Sequence, residues 1–270
     1  MRFYHFSLTE LDRLPAYREA MAAHFRKVAE PDTVVDLHGM APRTYVTLYP
    51  GVDLRYVYIQ TLHSLQVLNH VRRAEAEGYD GFLLMTLPEP ALEVARTLVD
   101  IPVIGYGQAS MQVATLLGRR FAVLAMIEEL VPLYESHIEQ HGMSSRAWGV
   151  TPLGLPFEIV LKGFEDPEPV LKHVRQKARE LAKQGVDVII PGEAPVAAVL
   201  ARNGLTRVDE IPIVDTLGAT LKYGELMATL HQRSQQFPAR TSYHTTKPPA
   251  GRLAELDRFY RLQEFGQAPK

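Results

Sequence analysis

The feature that most constrains this chain is a repeat. Asp80-Gly81-Phe82-Leu83-Leu84-Met85-Thr86-Leu87-Pro88 is an apolar run that ends in a hydroxyl, with a proline two residues on. Asp187-Val188-Ile189-Ile190-Pro191-Gly192-Glu193-Ala194-Pro195 has the same layout. Asp80 and Asp187 lie 107 residues apart, and so do Thr86 and Glu193. The surroundings match in order. Val71-Arg72 precedes the first copy and Val174-Arg175 the second; Gly78 and Gly185 stand two residues before the aspartates; Ile101-Pro102-Val103 and Ile211-Pro212-Ile213 follow. Generic helix–Gly–strand–helix grammar explains part of this. The shared Asp, the shared proline and the two Ile-Pro pairs favour a duplication.

Each copy is a short all-apolar run between helical periods, which is how a strand buried on both faces of a parallel sheet reads. The rest of the chain keeps that alternation. Strands are expected at Arg2–Phe6, Thr33–Leu37, Phe82–Met85, Ile101–Ile104, Phe121–Met126, Trp148–Leu153, Val188–Ile190 and Ile211–Val214. Helices are expected from Leu8 to about Lys27, His63–Glu77, from Pro88, Ala109–Leu117, Glu128–His141, Val170 to Ala182, Pro195–Arg202, Leu217 to Leu230, and near Leu253–Leu262. Residues 40–55 and 154–166 read as loops, because prolines and glycines crowd them. Strands alternating with helices predict α/β architecture with largely parallel sheets. With 270 residues there is room for two such units. The expected division is 1–105 plus 213–270 as a discontinuous first domain and 106–212 as the second.

Composition excludes several function classes. The 29 Lys+Arg against 31 Asp+Glu leave a net charge of −2, which argues against nucleic acid as the main partner. There is no cysteine, so disulfides, thiolate nucleophiles and cysteine metal sites are excluded. The start, Met1-Arg2-Phe3-Tyr4-His5, lacks the apolar core of a signal peptide. No run of about 18 apolar residues offers a membrane span. A cytoplasmic protein with a small-molecule substrate is the expectation.

In open parallel sheets, ligands sit beyond the carboxyl ends of the strands. Thr86 and Glu193 stand there in their two halves, each expected at a helix N-terminus, where free N–H groups attract anions. Glu193 can act as a general acid or base, or it can simply favour the helix start. Thr86 can hydrogen-bond a substrate or cap a helix. Ser7 and His38 end the first two strands and are candidates for ligand binding, against a helix cap and a structural histidine respectively. Gln108 and Ser110 follow the fourth strand. Asp215-Thr216 ends the last; Thr216 is placed at the site, and Asp215 can cap the next helix. Leu87 and Ala194, next to Thr86 and Glu193, complete the substrate-binding set. His137 and His141 share a helix face without a carboxylate in a recognisable motif, and read as a surface pair rather than a metal site. Gly105-Tyr106-Gly107 lacks the third glycine of a dinucleotide fingerprint.

Several stretches resemble the aspartate/glutamate/hydantoin racemase superfamily, most of all its hydantoin-racemase branch. They are Arg73 to Asp80, Pro90 to Arg96, Ile101-Pro102-Val103-Ile104-Gly105-Tyr106-Gly107-Gln108-Ala109-Ser110-Met111, Leu117-Gly118-Arg119-Arg120-Phe121 and Gly185 to Ile190, with Arg240-Thr241-Ser242 similar to a short C-terminal motif. The resemblance spans about residues 63–245 and fades before 60. It implies two pseudo-symmetric Rossmann- or flavodoxin-like three-layer domains with the active site in the cleft between them, no cofactor, and a homo-oligomer. It also implies two cysteines, one per domain, that pass a proton across an acidic carbon. At the matching positions this chain carries Thr86 and Glu193. A threonine hydroxyl is far too weak an acid to replace a thiol, and it becomes a nucleophile only beside a base. The two-thiol mechanism therefore does not carry over. Ala125-Met126-Ile127 is a second departure, since family members often carry hydroxyls after that strand. The expectation is a more apolar pocket, or a ligand that lacks a polar handle on that side. The expected activity is isomerase chemistry by one carboxylate on a small carboxylate or cyclic amide. A lyase, decarboxylase or ring-opening hydrolase is the alternative, and a silent binding protein is another.

Overall fold

The computed structural model describes residues 1–262. Its first sheet holds β1 (Arg2–Ser7), β2 (Val34–Gly39), β3 (Gly81–Leu84) and β4 (Val103–Gly105), all parallel, in the order β2-β1-β3-β4. The second holds β5 (Phe121–Ala125), β6 (Ala147–Pro152) and β7 (Val188–Pro191), also parallel, in the order β6-β5-β7. The expected α/β class with parallel sheets is what forms. Every residue of β3, β5 and β7 is buried, which is why these strands carry no polar alternation.

The two sheets are wound alike. β1 and β5 are central, β2 and β6 lie on one side, and β3 and β7 on the other. β3 and β7 begin at Gly81 and Val188, the same 107-residue spacing as the aspartates. Helix Val57–Ala76 precedes β3 and helix Glu168–Ala182 precedes β7. Beyond β7, in the place β4 takes in the first sheet, Ile213 makes a single parallel bridge to Ile189. A full strand at Ile211–Val214 does not form. Ile211–Pro212 pairs instead with Arg207–Val208 in a short antiparallel hairpin, since Pro212 has no N–H to give to a ladder.

Other segments differ from the sequence reading. The helix expected at Pro88 begins at Leu92. Pro90 disfavours a helical Glu89 before it, and Glu89 and Ala91 take positive φ of 42° and 57°. Thr86 thus lies in a turn, its carbonyl accepting from the Glu89 N–H at 3.2 Å, and not at a helix N-terminus. The second copy behaves as read: Glu193 is the N-cap of helix Ala194–Arg202. The segments read as loops contain short helices at Gly51–Leu54 and Phe157–Lys162, and helix Val57–Ala76 starts six residues before His63.

After the second sheet the chain returns to the first. Helix Thr216–Ser234 packs on β3, β4 and helix Tyr106–Leu117. It sits close because a Cβ on Gly224 would meet Leu83 Cδ2 at 2.8 Å. Helix Pro15–Val28 packs against both helix Ala194–Arg202 and helix Thr216–Ser234, and so ties the halves together. Asp215 caps the returning helix, as one of its readings held, by accepting from the Gly218 N–H at 3.0 Å. Among the described residues no helix is long and apolar enough to cross a membrane.

Candidate active site

The carboxyl ends of β1, β3, β5 and β7 converge on a small cavity of about 40 Å³. The first half supplies Ser7, Leu8, Thr9, Tyr17, Met85, Thr86 and Pro88; the second supplies Met126, Ile127, Glu193, Ala194 and Pro195. Pro50, Leu54 and Phe157 complete the wall from the short helices in the segments read as loops. No Lys, Arg or His lines it.

Glu193 is the one ionisable carboxylate there, and it is buried. Its side chain makes no capping bond to its own helix. The carboxylate turns instead to the end of β5. Oε2 accepts from the Met126 N–H at 2.7 Å, and Oε1 accepts from the Ile127 N–H at 3.3 Å and the Tyr134 hydroxyl at 2.9 Å. Burial outweighs these three donors and pushes Glu193 up to about 7. Burial disfavours the charged form and the donors favour it, which leaves a carboxyl poised to exchange a proton near neutrality. The apolar Met126 and Ile127 side chains thus conceal polar main chain. The N–H groups that an outside anion would need are already taken.

The wall from the first half carries four hydroxyls, of Ser7, Thr9, Tyr17 and Thr86, among the apolar Leu8, Met85 and Pro88. Ser7 Oγ lies 2.9 Å from Thr9 Oγ1 and accepts from the Thr9 N–H at 3.3 Å. Tyr17 is fully buried, and its hydroxyl faces the Ser7 side chain as its one polar neighbour, without a hydrogen bond of regular geometry. Thr86 is half-buried, and no base lies hydrogen-bonded to its hydroxyl among the described residues.

Of the residues expected at the site, Glu193, Thr86, Ser7 and Ala194 line the cavity. The others lie elsewhere. His38 stacks on Tyr4, with ring centroids 3.7 Å apart, and its Nδ1 lies 3.1 Å from the Asp36 carbonyl. Gln108 accepts from Arg96 at 2.6 Å and lines a separate cavity under the C-terminal segment. Thr216 donates to the Tyr106 hydroxyl at 2.6 Å, and Tyr106 donates to the Pro191 carbonyl at 2.9 Å, so it braces the end of β7 from behind. Leu87 wedges between Gly107 and Gly192. Ser110 donates to the Tyr106 carbonyl within its own helix.

His137 and His141 are not a surface pair. His137 is buried and its Nδ1 donates to the Leu87 carbonyl at 3.2 Å, while His141 Nε2 lies 2.8 Å from Glu89 Oε2. Glu89 reaches this place from the Pro88–Ala91 turn, a meeting of residues 52 apart that no spacing foretold. Among the described residues no group of three or more His, Cys, Asp and Glu is arranged to hold a metal ion. Tyr17, Thr9 and Tyr134 were missed. Each reaches the site from a different element, and no local motif marks them.

Two parallel α/β sheets of like winding, sharing one cavity at their carboxyl ends, define a racemase-type fold. The chain belongs to the Asp/Glu/hydantoin racemase family, whose model matches residues 19–224. It is 26% identical over 194 residues to a hydantoin racemase of Pseudomonas sp. (strain NS671), covering 69% of this chain and 75% of that protein. To a hydantoin racemase of Rhizobium meliloti it is 31% identical over 163 residues, covering 60% of this chain and 65% of that protein. The allantoin racemase structure from Klebsiella pneumoniae superposes with a TM-score of 0.75 at 22% identity, covering 92% of this chain and 94% of that one.

Proposed function

We propose that this chain is an acid/base enzyme acting on a small, uncharged cyclic amide of the hydantoin type, without a cofactor. What carries the reading is Glu193, a buried carboxyl with its proton poised near pH 7 in a cavity that has no cation. Hydantoin and allantoin racemases among the relatives supply the substrate class. A free carboxylate substrate fits less well, because its charge would face Glu193 in a cavity lined by no cation. The cavity is the cleft between the two expected domains, 1–105 plus 213–270 and 106–212. The packing of helix Thr216–Ser234 on β3 and β4 supports the return of the chain to the first domain, while its packing on helix Tyr106–Leu117 crosses the boundary at 106.

In this reading the Glu193 carboxylate removes the proton from the ring carbon beside a carbonyl. The electron pair passes to the carbonyl oxygen as an enolate, and the proton returns to the planar carbon. Hydroxyls of the opposite wall face the ring. About 40 Å³ is far below the roughly 300 Å³ of an ordinary ligand pocket. Entry therefore requires the wall of Pro50, Leu54 and Phe157 to move.

The test is exchange at the ring carbon of allantoin and 5-methylhydantoin in heavy water. Exchange that disappears in Glu193→Gln supports the isomerase. A second reading rests on the lone carboxylate, which has no acid/base partner on the Thr86 side. Consumption without exchange selects that lyase, decarboxylase or ring-opening hydrolase. Binding without either leaves a silent ligand-binding homologue.

A further inference from the structure

We propose that Tyr17 is a ligand-binding residue, whose hydroxyl donates a hydrogen bond to a carbonyl oxygen of a neutral cyclic amide in the cavity. The substrate class rests on the function proposed above. The assignment of Tyr17 rests on geometry.

Tyr17 lies in helix Pro15–Val28 and is 1% exposed. Its hydroxyl is shut off from solvent and makes no hydrogen bond of regular geometry; the Ser7 side chain is the one polar group near it. Ser7 stands beside it, with Oγ already engaged by Thr9. A buried hydroxyl without a partner is rare in folded proteins and destabilises them. The fold gains nothing from this oxygen, since the ring alone fills the space and packs near Phe164, with centroids 6.0 Å apart. Phenylalanine would do that work without the penalty. Several other buried side-chain polar atoms lack partners, in His5, Tyr45, Gln60 and His231. Among the described residues, Tyr17 is the only one of this set that lines the cavity shared with Glu193.

The chemistry of the group fixes what it can bind. Burial holds the phenol far above its usual range, so it remains a neutral donor at any working pH. A neutral donor in a cavity without cations suits a carbonyl oxygen of an uncharged ring. It also suits the partial negative charge that grows on that oxygen when a neighbouring carbon loses its proton.

The experiment is equilibrium binding of allantoin and 5-methylhydantoin by calorimetry, with thermal melts of the free proteins. Tyr17→Phe is compared with Tyr45→Phe, which removes another buried, unpartnered hydroxyl outside the cavity. We expect Tyr17→Phe to melt at or above the wild-type temperature and to bind about tenfold more weakly. Tyr45→Phe should also melt no lower, with unchanged binding. Equal binding by Tyr17→Phe overturns the inference. So does a drop in its melting temperature, which would reveal a partner inside the fold, or a wild type that binds neither ring. If wild type binds but never exchanges the ring proton, the proposed reaction fails while the role of Tyr17 stands.

Discussion

Tyr134 holds Glu193 from 59 residues away in the chain, with its hydroxyl 2.9 Å from Oε1. It is fully buried in helix Val131–Gln140, and burial keeps its own proton in place. Toward the ionised carboxylate it can only donate, and that bond favours the charged form. Tyr134→Phe should therefore raise the proton affinity of Glu193. The acid limb of the exchange rate should move up by about one pH unit. The carboxyl band of Glu193, isolated by infrared difference against Glu193→Gln, should shift by the same amount. An unchanged profile with an unchanged band would show that the bond does not control this proton.

Stability should depend on pH through groups that oppose one another. Burial lowers His5 to about 3 and His70 to about 4, while an unfolded chain takes up those protons near 6.5. Acid therefore favours unfolding through that window. Glu193 acts the other way: folded, it holds a proton below about 7, and unfolded only below about 4.5, so acid favours the fold between those values. Two histidines outweigh one carboxyl, and the melting temperature should fall between pH 7 and 5. Glu193→Gln removes the opposing group and should steepen the fall by roughly 1 kcal/mol per pH unit. A shallower fall in the variant would contradict the assignment.

Gly192 leads into Glu193 where two strands nearly touch. A Cβ there would stand 2.6 Å from the Leu124 carbonyl oxygen and 3.1 Å from Leu87 Cδ2. Leu87 can shift, but the backbone of β5 cannot. Gly192→Ala should cost roughly 1–3 kcal/mol in chemical denaturation. It should also lower activity by more than stability alone accounts for, because it displaces Glu193 from the Met126 and Ile127 N–H groups.

Arg55 reaches Glu129 of the second half at 3.3 Å, next to the cavity wall at Leu54, and both side chains are substantially exposed. An exposed pair contributes under about 1 kcal/mol. Arg55→Ala should change the melting temperature by under about 2 °C. If this contact helps hold the wall shut, the association rate of 5-methylhydantoin in stopped flow should rise several-fold. An unchanged rate would place the opening elsewhere.

The fold was legible because its signals are local. Apolar runs such as Phe82–Leu84 and Val188–Ile190 between helical periods define buried parallel strands, and the 107-residue repeat survives in the paired starts of β3 and β7. Helix starts are local too: Asp215 and Glu193 stand where their helices begin, though only Asp215 caps with its side chain. Thr86 shows the limit of this reading. A proline two residues on marked a helix start in both copies. In the first copy, Pro90 deferred the helix to Leu92, leaving a turn that carries Glu89 to His141.

The sequence by itself determined the α/β class, the family and the strand ends where Thr86 and Glu193 stand, since hydrophobic period and turn chemistry act between near neighbours. Only the tertiary structure decided what Glu193 is. Its environment is built from Met126, Ile127 and Tyr134, which the chain brings to it by folding one sheet end onto the next helix. It also set Tyr17 beside Ser7 with an unanswered hydroxyl, and removed His38, Gln108 and Thr216 from the cavity. Burial and long-range hydrogen bonds fix a side chain's chemistry, and neither is written in the residues adjoining it.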